Sequence, residues 1–180
     1  LRRIRIIMQN PLVRLLDKWI PSLNLIPVQM DNRVFIGIDP GIKGGIAFIY
    51  NDTYYVQPTP STVAGMADEL ITLKHMGPNL SMYCAIELVH SFPGQGVAST
   101  FKFGMNYGQW LGILATLKIP YIQVTPHKWM KHYGSMPKDK KDRKNHIKHL
   151  AQQRFPDVDI TLATSDAMLI ANYMRETNKQ

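Results

Sequence analysis

The chain has 180 residues, which is enough for one domain with a hydrophobic core and an extension, but not for two domains of ordinary size. Lysine and arginine number 21 against 13 acidic residues, and the formal net charge of +8 favours a polyanionic partner, most simply nucleic acid. Apolar residues make up 45% of the sequence, but charge, glycine or proline interrupts every apolar run before it reaches the length of a membrane span. We therefore expect a soluble protein with no membrane segment.

The first 31 residues are predicted to be an extension or docking arm, separate from a domain formed by residues 32–180. An amphipathic helix is predicted from Pro11 to Ile20, and it either adds an outer layer to the domain or docks onto a protein partner. The segment Leu1–Ile7 is basic and free of acids, which is typical of a processed organellar precursor. The single cysteine, Cys84, excludes an internal disulfide and favours a reducing compartment. We expect a mitochondrial or other organellar matrix, with the cytoplasm as the alternative.

A β-hairpin is predicted from Val34 to Tyr50. Two runs rich in β-branched and aromatic residues flank a turn that contains Pro40-Gly41 and Gly44-Gly45. Asp39 ends the first run. It is either a local turn former or a carboxylate placed on a rigid strand end to bind a metal ion, and the hairpin alone does not decide between these.

The rest of the chain alternates predicted strands and helices. Ser61 is the predicted cap of the first helix, and Cys84 is predicted to be buried in the strand that ends at Glu87. The strand order predicts an α/β fold in which a three-strand antiparallel meander is followed by parallel strands with crossover helices. The predicted elements after the hairpin are strand 53–57, helix 61–77, strand 82–87, helix 101–118, strand 121–125 and helices 126–132, 138–154 and 165–176.

Three glycines recur at every fourth position of the second long predicted helix. They are Gly104, Gly108 and Gly112, and this spacing places them on one face. Because glycine allows a close approach of backbones, we expect that face to pack against the sheet or a second helix.

Three acidic residues are predicted to lie near one another. Asp39 and Glu87 end predicted strands, and ligands of open α/β sheets bind at the carboxyl ends of strands. Asp166 falls in the first turn of the last helix, where it is either a helix-end acid or a third member of the group. Adjacent carboxylates repel unless a cation lies between them, and Mg²⁺ or Mn²⁺ prefers such oxygen ligands. Two ions roughly 4 Å apart would suit phosphodiester cleavage.

Several segments resemble motifs of the RuvC-like Holliday junction resolvases, in the branch found in phages and organelles. The similar segments, in family order, are Phe35–Gly41 with Gly44–Ala47, Ile86–Gly96, Thr125–Trp129, Lys138–Lys141 and Ser165–Ala171. The resemblance implies a ribonuclease H-like mixed sheet flanked by helices. It also implies a Mg²⁺- or Mn²⁺-dependent endonuclease that cuts four-way DNA junctions as a homodimer, with Asp39, Glu87 and Asp166 as catalytic metal ligands.

The resemblance further implies that basic residues near the site contact DNA phosphates. The alternative for each is a solvated position on a helix surface, since charged helix faces commonly need no partner. The expected phosphate-contacting residues are Lys128, Lys131, Lys138, Lys140, Lys141, Arg143 and Lys144.

The sequence departs from the family pattern just before the last helix. The family carries a fourth acid three or four residues before the aspartate of that helix, where this chain has Ala163 and Leu162. Two hypotheses follow. The chain is either a junction-resolving endonuclease or a protein whose metal site is weakened or lost. In the second case it would bind structured RNA or DNA in an organellar assembly such as a mitochondrial ribosome, with residues 1–31 docking onto protein partners.

Overall fold

The computed structural model describes residues 31–77, 79–91, 94 and 96–178. Within these ranges a five-stranded sheet has the order β3-β2-β1-β4-β5. The strands are β1 (Arg33–Asp39), β2 (Gly45–Tyr50), β3 (Thr53–Pro58), β4 (Ser81–Glu87) and β5 (Tyr121–Val124). The helices are α1 (Val63–His75), α2 (Val97–Thr116), α3 (Pro126–His132), α4 (Lys140–Arg154) and α5 (Ser165–Thr177).

Pairing of the strands confirms the predicted α/β fold. β1 pairs antiparallel with β2, and β2 pairs antiparallel with β3, which is the meander. β4 runs parallel to β1, and β5 runs parallel to β4. A parallel pair needs a crossover connection, and α1 and α2 lie in the two connections. Cys84 is buried in β4, as predicted.

Three predicted helix starts were wrong, and at two of them a side chain satisfies free backbone N–H groups at another position. Thr62, not Ser61, caps α1, since its Oγ1 accepts a hydrogen bond from Gly65 N at 3.0 Å. α2 begins at Val97, four residues before the predicted start. α4 begins at Lys140 because Asp139 Oδ1 accepts from the backbone N of residues 141 and 142.

Helix α5 lies directly on β1, and Gly37 makes this possible. A Cβ atom built on Gly37 would collide with Ala167 O and with the backbone of Ala171. Only a residue without a side chain lets the helix backbone come this close to the strand. Ten consecutive residues of α5, Ser165–Met174, are buried as a result. The contact fixes the first turn of α5 near the carboxyl end of β1.

The face of the sheet under α5 carries the main described core cluster. Phe35 and Ala85 from β1 and β4 contribute to it, together with Trp129, Ile147 and Met168 from the helices. Side chains alternate between the two faces of a strand, so residues 35, 37 and 39 of β1 share this face. Residues 85 and 87 of β4 share it too. Asp39 and Glu87 are therefore directed to the side covered by helices α3, α4 and α5.

The glycine face of α2 does not pack as predicted. A Cβ atom on Gly104, Gly108 or Gly112 would meet nothing within 4 Å in the described part of the chain. Large apolar residues lie along the same face, with Val97 87% and Phe101 70% exposed. Spacing predicted correctly that these residues share one face, but it did not indicate which face of α2 the core would use. We call this exposed face the α2 stripe; its members are Val97, Phe101, Gly104, Met105, Gly108 and Gly112.

The predicted amphipathic helix from Pro11 to Ile20 lies outside the described residues. Among the helices that the structure does describe, none is both long enough and apolar enough to cross a membrane.

Candidate active site

Asp39 and Glu87 end neighbouring parallel strands. The register pairs Ile38 with Ile86, and the next residue on each strand is one of these acids. Neighbouring strands lie about 4.8 Å apart, and residues paired in this way point to the same face. The two carboxylates are thus placed side by side at the carboxyl ends of two inner strands of the sheet.

Asp166 joins them from the first turn of α5. Its side chain is only 7% exposed. Its Oδ1 accepts a hydrogen bond from Ser165 Oγ at 3.2 Å, and its Oδ2 accepts from Lys144 Nζ at 2.7 Å. The structure therefore brings together the three acids singled out in the sequence. We call Asp39, Glu87 and Asp166 the carboxylate cluster.

Burial and neighbouring acids raise the pKa of Asp39 and of Glu87. Burial, followed by the negative charges of Asp166 and Glu87, holds the pKa of Asp39 well above its usual value. Burial likewise raises the pKa of Glu87 to about 7. A hydrogen bond from Trp129 Nε1 to Glu87 Oε2, at 2.6 Å, works in the opposite direction because it stabilises the carboxylate. These acids are held together against their own repulsion.

Lys144 provides the positive charge closest to the cluster. Burial alone would lower the pKa of Lys144, but attraction to Asp166, Asp39 and Glu87 outweighs burial and raises it. The ammonium group therefore stays charged. Its side chain is 41% exposed, so the same group also faces the solvent side of the site.

The oxygen donors suit a hard divalent cation, but several of them are already engaged. No group of three His, Cys, Asp or Glu side chains in the described ranges is arranged to hold a metal ion. Both oxygens of Asp166 and one oxygen of Glu87 accept hydrogen bonds. No hydrogen bond from the described residues reaches the side chain of Asp39 or Glu87 Oε1. Asp39 and Glu87 Oε1 therefore fit one cation of the Mg²⁺ or Mn²⁺ type.

A cleft of about 700 Å³ opens beside Asp39. One wall is the β1–β2 turn, and the other is formed by the first turns of α2 and by α4. Four lysines line it: Lys43, Lys102, Lys140 and Lys144. We call it the lysine cleft. Through Asp39, the carboxylate cluster adjoins this positively charged cleft, which is open to solvent.

Asn106 of α2 holds the turn that follows Asp39. Its Oδ1 accepts a hydrogen bond from Gly41 N at 2.7 Å, and this contact is buried. Gly41 has a φ of +123°, a conformation that glycine adopts without strain. Sequence reasoning missed Asn106, because nothing in the chain relates it to a turn 65 residues earlier. Lys43 was also missed, although its place in the turn after Asp39 was a usable signal.

The predicted basic residues separate into three groups. Lys140 and Lys144 line the lysine cleft beside Asp39. Arg143 instead donates hydrogen bonds to the carbonyls of Pro137 and Lys138, so it holds the start of α4. The remaining four are exposed and do not line the cleft: Lys128, Lys131, Lys138 and Lys141.

Among the described residues, the structure supplies no substitute for the missing fourth acid. Leu162 is 49% exposed, and the carbonyl of Ala163 lies against Gly45. Asp157 and Asp159 are exposed in the loop before α5, and neither lines the lysine cleft. In the first turn of α5, the polar side chain next to Asp166 is Ser165, whose hydroxyl donates a hydrogen bond to Asp166.

Comparison with known proteins connects this arrangement to one fold. No protein-family model matches the chain, and no curated protein matches it. A solved structure of Thermus thermophilus RuvC in complex with Holliday junction substrate matches with a TM-score of 0.55 at 15% identity, covering 81% of this chain and 96% of that one. A second T. thermophilus RuvC structure has a TM-score of 0.55 at 16% identity and covers 80% and 96%.

A third match is to the yeast mitochondrial Holliday junction resolvase Ydc2. It has a TM-score of 0.44 at 17% identity and covers 81% of this chain and 78% of that one. The two RuvC matches extend over almost the whole of the RuvC chain. The chain therefore has the RuvC-like form of the ribonuclease H-like fold.

Proposed function

We propose that this protein is a divalent-metal-dependent endonuclease that cuts four-way DNA junctions. The observation that carries the proposal is the convergence of Asp39, Glu87 and Asp166, with Asp39 lining a cleft that four lysines also line. Neighbouring buried acids with raised pKa values are typical of functional sites. The fold is that of RuvC, and one of the RuvC structures contains a Holliday junction substrate.

Each side chain of the site has a role in this proposal. Asp39 and Glu87 would hold the cation, and a bound divalent cation would polarise the scissile phosphate and favour ionisation of the attacking water. Lys43, Lys102 and Lys140 would hold the phosphates of the strand in the cleft. Trp129 keeps Glu87 in position through its hydrogen bond. Asn106 keeps the turn after Asp39 in position in the same way.

The exposed basic residues would extend phosphate binding beyond the cleft. Lys128 and Lys131 lie on α3, while Lys138 and Lys141 lie at the start of α4. A junction presents phosphates on several arms, so contacts outside the cleft are expected to add affinity that falls steeply with salt. Arg143 is less suited to this role because its guanidinium already donates to backbone carbonyls.

The α2 stripe supports a homodimer. Its three glycines would let a second helix approach closely, and Val97, Phe101 and Met105 would supply apolar contact area. α2 has 20 residues and is therefore about 30 Å long, which gives enough length for a two-fold helix pair. A symmetric pair would present two carboxylate clusters, as symmetric cutting of a junction requires.

The proposal is tested with the purified full chain and a labelled four-way DNA junction in Mg²⁺ or Mn²⁺. We expect paired nicks placed symmetrically across the junction. Asp39→Asn should abolish nicking while junction binding remains. A linear duplex of the same sequence is the substrate control and should stay intact. Absence of nicks at any excess of protein would contradict the proposal.

One observation favours a second candidate function. No acid stands at position 162 or 163, and Lys144 engages one oxygen of Asp166. A protein without cleavage activity would still offer the lysine cleft and the exposed lysines to structured RNA or DNA, for example in an organellar assembly that residues 1–31 join. This function predicts salt-sensitive binding that is equal for wild type and Asp39→Asn, no nicking, and co-purification with RNA-rich particles.

A further inference from the structure

We propose that each chain binds one divalent cation, and that the ammonium group of Lys144 takes the place of a second one. This inference rests on the metal site of the proposed function, and it goes beyond it by assigning the number of ions and a role for Lys144. Asp39 and Glu87 Oε1 would hold this ion. Lys144 supplies the second positive charge at Asp166.

Both carboxylate oxygens of Asp166 already accept hydrogen bonds within the chain. Its Oδ2 accepts a 2.7 Å hydrogen bond from Lys144 Nζ, and its Oδ1 accepts from Ser165 Oγ at 3.2 Å. Asp166 is 7% exposed, so its carboxylate has little room to turn toward a different partner. Both oxygens are thus used within the chain. An ion at this position would have to displace a cation that is already bonded there.

A second divalent ion would need further acidic donors. Two divalent ions need acids on both sides, and their combined charge of +4 exceeds the charge of three carboxylates. Positions 162 and 163 carry leucine and alanine, and Asp157 and Asp159 are exposed in the loop before α5. In contrast, one divalent ion together with Lys144 carries a charge of +3, which equals the charge of Asp39, Glu87 and Asp166.

Lys144 also has access to the space that a bound strand would occupy. Its side chain is 41% exposed and lines the lysine cleft, so the same ammonium group reaches the space in which a strand would lie. An ammonium group has three donors, and one of them is used by Asp166. The other donors can reach a phosphate oxygen. Lys144 would thus act on substrate where a second ion acts in a two-ion site.

The experiment measures binding of Mn²⁺ alone to the purified full chain, without DNA, by titration calorimetry and by the electron paramagnetic resonance signal of free Mn²⁺. Wild type should bind one Mn²⁺ per chain. Lys144→Gln should bind Mn²⁺ roughly tenfold more tightly, because removing one nearby positive charge from a half-buried site changes binding by at least that amount. Asp39→Asn should lose the site.

Lys140→Gln is the matched control for the loss of one positive charge from the same cleft. Lys140 lines the cleft, and its ammonium group makes no bond to the carboxylate cluster within the described residues. Its effect on Mn²⁺ affinity should therefore be much smaller than that of Lys144→Gln. A second variant, Ala163→Asp combined with Lys144→Gln, restores an acid and removes the lysine, and it should bind a second Mn²⁺. Thermal unfolding of each variant verifies that it is folded.

Three results would overturn the inference: two Mn²⁺ per wild-type chain, no Mn²⁺ bound at all, or equal affinities for the two lysine variants. These outcomes are separate from the outcome of the cleavage experiment. A chain that binds one Mn²⁺ but never nicks a junction would contradict the proposed function and leave the assignment of Lys144 standing. A chain that nicks junctions while binding two Mn²⁺ would do the reverse.

Discussion

At the scale of single residues, the carboxylate cluster is held together at a cost to folding stability. Burial and neighbouring acids raise the pKa of Asp39 and of Glu87, so the folded chain binds their protons more tightly than the unfolded chain does. Stability is therefore lost as pH rises from the unfolded pKa through the folded one, because the folded state must then bury additional negative charge. A stable fold with a destabilised site is expected where the site binds a cation.

The variant Glu87→Gln tests this cost. The amide oxygen of the glutamine can still accept a hydrogen bond from Trp129 Nε1. The substitution removes a carboxyl group whose pKa is raised from 4.5 to about 7. We expect no gain in the free energy of unfolding at pH 4 and a gain at pH 8 that is limited to about 3 kcal/mol by linkage. The gain should develop between about pH 4.5 and 7. Urea denaturation at several pH values measures it, and Asp52→Asn, in the exposed turn before β3, is the control for the loss of one acidic charge.

The hydrogen bond from Trp129 is tested by Trp129→Phe. The loss of the Nε1 donor should raise the pKa of Glu87 above about 7, since this bond stabilises the charged form. Carboxyl carbon chemical shifts as a function of pH measure that pKa. Trp110→Phe is the matched control: Trp110 is also fully buried, and its Nε1 has no acceptor among the described residues. Equal pKa values of Glu87 in the two variants would contradict the assigned role of Trp129.

At the scale of elements, the contact between β1 and α5 determines where Asp166 lies. The strand and the helix were both predicted from the sequence, with ends within one residue of the observed ones. Their distance was not predicted, because it depends on Gly37, whose missing side chain admits the helix backbone. The sequence pattern identified the hairpin glycines as turn residues. The glycine in the middle of β1 proves equally important for the geometry of the site.

The variant Gly37→Ala tests this contact. The added Cβ would overlap the backbone of Ala167 and Ala171, so α5 must shift away from the sheet. We expect a loss of roughly 1–3 kcal/mol in the free energy of unfolding, which is typical of overpacking. Gly77→Ala is the control, because its Cβ would lie 3.4 Å from Leu80 Cγ, an ordinary contact, and should change stability by less than about 1 kcal/mol. Urea denaturation compares the two variants.

At the scale of the whole molecule, charge and the α2 stripe concern partners rather than folding. The net charge of +8 was the first indication of nucleic acid, and the lysine cleft gives part of that charge a location beside the acids. The α2 stripe is apolar and exposed, a combination typical of a surface that a protein partner covers. Neither feature belongs to the core, and in the proposed function both contribute to assembly on a junction.

The proposed homodimer is tested by Phe101→Glu, which places a charge within the α2 stripe. Phe101 is 70% exposed, so the variant should fold normally while losing the dimer. Sedimentation velocity over a range of protein concentrations measures the loss as a weakening of at least roughly tenfold in the dimer dissociation constant. Ile122→Glu on β5 is the control, since Ile122 is also apolar and 41% exposed but lies away from the stripe. A wild-type chain that stays monomeric throughout would contradict the dimer.

The sequence by itself determined the local structure and the identity of the acids. Alternating apolar residues, turn glycines and capping side chains act over a few residues, so the hairpin, the meander and the acids at strand ends could be predicted from them. The α2 stripe shows the limit of such signals, because spacing indicates a shared face but not what covers it.

Only the tertiary structure decided which side chains compensate the charge of the acids and hold them in position. Lys144 meets Asp166 across 22 residues, Trp129 meets Glu87 across 42, and Asn106 meets Gly41 across 65. The physical reason is that these contacts form only after α2, α3 and α4 have packed against the sheet, and no local pattern encodes that packing. Asp39, Glu87 and Asp166 were therefore visible as candidates in the sequence, whereas the pairing of Lys144 with Asp166 was visible only in the fold.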